Sequence, residues 1–136
     1  MQAPSAGNAQ PWHFIVVKDQ LILNKIPEFH KTAPMAKNAP MAIFICADLT
    51  LEKYPGCWVL DCSAAAENIL LAAHDLGLGA VWTANYPLKE VEKGVKKLLD
   101  LPKNIVPHCL ILLGYPAHPY NSKTYYQKER IHYDKW

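Results

Sequence analysis

Residues 58–76, WVLDCSAAAENILLAAHDL, are apolar around most of their circumference when wound as an α-helix. Asp61, Asn68 and Asp75 recur at a spacing of nearly two turns, with Glu67 and His74 beside them, so the polar surface shrinks to a narrow stripe. Such a helix must be covered on more than one side, inside a layer or at a subunit interface. Alanines at 64–66 and 72–73 favour the helix, and Gly77 is placed to end it at the position after the C-cap.

What could cover this helix is a set of short apolar runs. Residues 41–47 (MAIFICA) and 108–113 (HCLILL) show little polar alternation, as expected of strands covered on both faces. Residues 14–17 (FIVV) predict a third strand ending at Lys18-Asp19, and Gly77-Leu78-Gly79 turns the chain into a fourth that runs through Thr83. Leu21, Ile22 and Ile26 predict a brief helix that Pro27 limits, and residues 28–38 remain ambiguous. Pro87 suits the first turn of a last helix, in which Leu88, Val91, Val95 and Leu98 recur at helical spacing. From Tyr115 onward the chain is polar and aromatic, and its tyrosines and Trp136 call for a surface, on the domain or on a partner subunit.

A chain of 136 residues with 51% hydrophobic and 19% charged residues builds one hydrophobic core, a single domain over 1–136. Its net charge of +2 points to neither a nucleic-acid footprint nor a membrane-binding face. The lysines at 89, 93, 96 and 97 are interspersed with Glu90 and Glu92, which makes them an ordinary solvated helix face. The apolar runs are too short to cross a bilayer as helices, and the first residues lack the basic and apolar regions of a signal peptide. Cys46, Cys57, Cys62 and Cys109 form no C-x-x-C pair, so buried free thiols in a reducing cytoplasm are expected.

Familiar catalytic motifs are absent. Ser63 lies in a helix without a G-x-S-x-G context, where a structural hydroxyl is the simpler reading. The six histidines lack metal-ligand spacing, so no metal is expected, and Gly77-Leu-Gly79 is neither a dinucleotide fingerprint nor a P-loop.

Four fragments are more specific in combination: PSAGNAQPWHF at 4–14, DCSAAAENILLAA at 61–73, GLGAVW at 77–82 and LGYP at 113–116, with IHYDKW closing the chain. In this order they resemble the nitroreductase family of FMN-dependent flavoproteins, over nearly the whole chain. The resemblance implies an α+β fold, a mixed or antiparallel sheet flanked by helices, in a homodimer that holds FMN in clefts at its interface with residues from both chains. It implies an oxidoreductase that passes electrons from NADH or NADPH through FMN to a nitroaromatic, quinone or similar small-molecule acceptor. The flavin carries the chemistry, so no catalytic side chain is named.

By the same resemblance, Pro4, Ser5 and Asn8 match the polar loop that approaches the flavin, supported by Gln10 and Trp12. Trp82, Thr83, Ala84 and Asn85 follow the G-L-G segment, where backbone groups approach the ring near N5. Lys123 lies where the family supplies a basic residue to the FMN phosphate, with Lys128 and Arg130 as alternatives. One departure stands out: the family's N-terminal helix, with its basic residues, precedes the P-S-x-x-N motif, whereas here Met1 stands almost at the motif. This predicts an N-terminally shortened member; the alternative is a non-catalytic remnant with weak or no FMN binding.

Overall fold

The computed structural model describes residues 1–118 and 125–136. Seven main elements follow in order: β1 Trp12–Val17, α1 Gln20–Phe29, β2 Met41–Asp48, α2 Trp58–Asp75, β3 Gly79–Ala84, α3 Lys89–Leu98 and β4 Ile105–Gly114. The strands form one sheet in the order β1-β2-β4-β3, with every neighbouring pair antiparallel. The two uninterrupted apolar runs, β2 and β4, are therefore the central strands, and helices cover them on both faces.

Alternation divides the core. Ile45, Ala47, Cys109, Ile111 and Leu113 meet Trp12 and the Trp58, Cys62, Ala65 and Ala66 side of α2. Ala42, Phe44, Cys46, Leu110 and Leu112 meet Leu23 and Ile26 of α1 and Val91 and Val95 of α3. Burial pushes the thiols of Cys46 and Cys62 up to about 12, so neither offers a thiolate near neutral pH.

Several boundaries differ from the expectations. Strand β1 begins two residues earlier, at Trp12, because Trp12 and His13 pair with Ala47 and Cys46. Strand β4 begins at Ile105 rather than His108, and it contains a bulge: Ile45 pairs with Cys109 but Cys46 with Pro107, which leaves His108 as the extra residue. Helix α1 runs through Pro27 and ends two residues later at Phe29, where the His30 N–H closes its last turn on the Ile26 carbonyl. Asp19 caps its start by accepting the Leu21 N–H at 2.8 Å. The ambiguous stretch closes with a 3₁₀ turn over Pro34–Asn38. Pro87 sits in the turn before α3, not in its first turn; the Leu88 N–H closes that turn on the Asn85 carbonyl at 2.9 Å. Helix α2 ends as expected, with Leu76 as cap and Gly77 at φ 72°, a conformation open to glycine.

The polar stripe of α2 is not uniform: Asp61 is buried, whereas Glu67, Asn68 and Asp75 are exposed. On the tail, Tyr125, Tyr126, Tyr133 and Trp136 are exposed, so the described aromatic side chains do not use their own domain as the covering surface. His132 stacks on Trp136 with ring centroids 4.4 Å apart.

Candidate functional site

The segment before β1 is a tight loop. Gly7, Asn8 and Gln10 all have left-handed backbones, at φ 56°, 53° and 51°. A Cβ at Gly7 would also press on the Tyr54 ring. The loop's own bonds run from Asn8 N–H to the Ser5 carbonyl at 3.0 Å and from Gln10 N–H to Ser5 Oγ at 3.0 Å. Ser5 therefore accepts internally, and its hydroxyl proton remains available to a ligand. Asn8 lies exposed. Two tethers reach the loop from elsewhere: Asp61 Oδ1 accepts the Ala6 N–H at 2.8 Å, and Lys53 Nζ donates to the Gly7 carbonyl at 2.8 Å.

The second expected group lies at the end of β3, on the sheet's other edge. Asn85 and Tyr86 both donate their N–H groups to the His108 carbonyl, at 3.1 and 2.9 Å. Bonding of Asn85 to His108 sets the parity of the antiparallel ladder, so the main-chain groups of Trp82 and Ala84 point to the open edge. Of the four expected positions, Ala84 thus presents a free N–H and Trp82 a half-buried ring. Thr83 is turned inward, its hydroxyl donating to the Leu110 carbonyl at 3.4 Å. The Asn85 side chain is fully buried beside His30, and its Nδ2 and Oδ1, like His30 Nε2, have no partner in hydrogen-bond geometry. Burial lowers the pKa of His30, with the nearby Asn85 opposing.

Between the two groups stands an aromatic cluster that the sequence reading missed. Trp58, in the first turn of α2, packs edge-on against Tyr86 at 4.8 Å and His108 at 5.9 Å, and Trp82 meets His108 at 6.0 Å. The β4 bulge brings His108 here, since unbroken alternation would place it with Leu110 and Leu112 on the opposite face. Ser63 donates its single proton to the Val59 carbonyl at 2.7 Å, so the proton in its 3.0 Å contact with His108 sits on Nε2 of the imidazole. His108 Nδ1 is then a buried acceptor without a partner, and burial holds the ring neutral, with its pKa down at about 4.

Register places both groups at one end of the sheet: Trp12 pairs with Ala47, Ala47 with Val106, and Ala84 with Cys109. The edge strands that carry them, β1 and β3, lie three inter-strand spacings apart, about 14 Å. Lys123 lies outside the described residues.

Sequence and fold are both shared with known proteins. The sequence model of the nitroreductase family matches residues 28–115. A protein of Methanothermobacter thermautotrophicus carrying the name NADH dehydrogenase/NAD(P)H nitroreductase is 51% identical over all of this chain and 71% of its own length. The chain belongs to the nitroreductase family. Among solved structures, a Clostridium acetobutylicum protein named as an NADH oxidase superposes with a TM-score of 0.95 at 45% identity, over 100% of this chain and 82% of that one. An FMN-dependent nitroreductase from Clostridium difficile gives 0.89 at 28% identity, over 99% and 82%.

For a nitroreductase-family chain the residues present fit the ring side of FMN. A main-chain donor at an open edge, a serine proton and an exposed asparagine amide are the neutral groups that heteroatoms of a flavin ring and ribityl hydroxyls accept. Asp61 and Lys53 tether the loop that carries Ser5 and Asn8, and the His108 carbonyl holds the Asn85 and Tyr86 amides just after Ala84. In the sequence Asp61 is one member of the polar stripe of α2 and Ser63 a structural hydroxyl, and neither pattern pointed to the loop or to His108. No helix among the described residues is long and apolar enough to cross a membrane.

Proposed function

We propose that this NAD(P)H-dependent oxidoreductase of the nitroreductase family passes electrons through bound FMN to a nitroaromatic, quinone or similar small acceptor. The observation that carries this reading is the ladder register of β3, which turns the Ala84 N–H away from β4 to the sheet edge, at the same sheet end as the loop bearing Ser5 and Asn8. Relatives named an FMN-dependent nitroreductase and an FMN reductase support the choice of cofactor. When bound, FMN supplies the two-electron chemistry. The chain's residues bind and orient: Ala84 donates to the ring near N5, Ser5 and Asn8 hold ring or ribityl oxygens and nitrogens, and Lys123 pairs with the phosphate.

The placement of the two groups on opposite edge strands favours a cleft completed by a second copy of the chain, in a cytoplasmic homodimer. Leu60, Leu71 and Leu76 leave 69%, 61% and 73% of their surface open on α2, an apolar area that a partner subunit would cover. Anaerobic addition of NADH or NADPH to the FMN-reconstituted protein should bleach the oxidised flavin spectrum. FMN binding without bleaching by either donor would refute the activity, and no FMN binding would select the non-catalytic alternative.

A further inference from the structure

Asp61 is the carboxylate of α2 that the fold withdraws from water: it is 5% exposed, while Glu67 and Asp75 on the same helix lie open to solvent. A buried carboxylate costs free energy unless hydrogen bonds compensate it, so its placement calls for an account beyond packing. Its Oδ1 accepts the Ala6 N–H at 2.8 Å, joining α2 to a loop 55 residues away. That loop is not self-sufficient. Asn8 and Gln10 hold left-handed backbones that non-glycine residues keep only where surrounding contacts impose them. Lys53, which holds the Gly7 carbonyl, is an exposed lysine and so a weaker, solvent-screened tether.

Resting on the FMN reading above, we propose that Asp61 is a positioning residue: its bond to the Ala6 amide sets the loop so that Ser5 and Asn8 can read the ring side of the flavin. The bond fixes the first amide of the 3₁₀ turn Ala6–Asn8, immediately after Ser5 and two residues before Asn8. Loss of the bond frees both side chains together, and it leaves the phosphate end of the cofactor untouched.

Two substitutions remove opposite halves of the bond. Asp61→Ala removes the acceptor. Ala6→Pro removes the donor, and it suits the backbone: Ser5 is extended at φ −146° and ψ 151°, as a residue before proline must be, and Ala6 opens the turn. Titration of the apo-protein with FMN and with riboflavin should show each variant weakening both ligands by the same factor, about tenfold or more. The double variant should be no weaker than Asp61→Ala alone. Asp61→Asn, which keeps an acceptor oxygen, should recover most of the affinity. At saturating FMN the Asp61→Ala complex should absorb more like free flavin than the parent complex does, a change that mere loss of stability would not produce. The inference is overturned if the parent binds flavin and Asp61→Ala binds it equally well, if the two losses add, or if Asp61→Asn is as weak as Asp61→Ala. Failure of the parent chain to bind either flavin would instead remove the FMN reading, and this inference with it.

Discussion

The two faces of the sheet are finished to different degrees. On the α1 and α3 face, Leu23, Ile26, Phe44, Leu110 and Val95 are all fully buried, and α3 turns its lysines outward. The helices there turn their apolar sides to the sheet, and Leu21 of α1 is the large apolar side chain that they leave exposed. On the other face α2 meets the sheet through Trp58, Cys62, Ala65 and Ala66 but leaves Leu60, Leu71 and Leu76 open. That unfinished side also carries the loop of residues 5–10, the aromatic cluster and the free edge of β3. The contrast teaches that both faces bury a core against the sheet, while the α2 face also keeps apolar and hydrogen-bonding surface for something outside the protomer.

The strongest way to break this contrast is to open the sealed face. Phe44→Ala should cost about 3–5 kcal/mol, as for a fully buried phenylalanine whose cavity cannot collapse, and denaturant unfolding will measure it. A loss near 1 kcal/mol would mean that the face is less tightly closed than its burial indicates.

Acid tests the α2 face. His108 has a folded-state pKa of about 4, below the ordinary histidine value near 6.5, so the unfolded chain takes up a proton before the folded one does. Its stabilising effect is complete above pH 6.5, falls as pH drops from 6.5 to about 4 and then levels off, a loss of about 3 kcal/mol. His30, lowered in the same direction on the other side, adds to the loss. Unfolding free energies measured across that window should show a shallower slope in His108→Gln than in the parent. Equal slopes would show that His108 is solvated and the aromatic cluster open.

The smallest expected effect on the protomer is at the unfinished surface. Leu71→Gln should change the stability of the isolated protomer by about 0.5 kcal/mol or less. Sedimentation over a range of concentrations should show a weaker dimer in this variant than in the parent. A parent that stays monomeric at its highest soluble concentration would remove the dimer from the comparison.

Much of this architecture was legible in local pattern. The uninterrupted apolar runs in β2 and β4 marked strands covered on both faces, Gly77 marked the end of α2, and the ordered P-S-A-G-N, G-L-G and L-G-Y-P fragments pointed to the nitroreductase family. These features depend on neighbours in sequence: side-chain period, backbone freedom at glycine, and short motifs. Tertiary structure alone decided the rest. Whether His108 faces α1 or α2 depended on one extra residue in β4 opposite β2, and which amide of residues 82–85 stays free depended on ladder parity with β4. Asp61 looked like part of a solvent-facing stripe until the loop of residues 5–10 closed over it. Register, parity and burial are properties of pairs of segments far apart in the chain, so no single segment encodes them; they are settled when the strands pair and the loop finds its carboxylate.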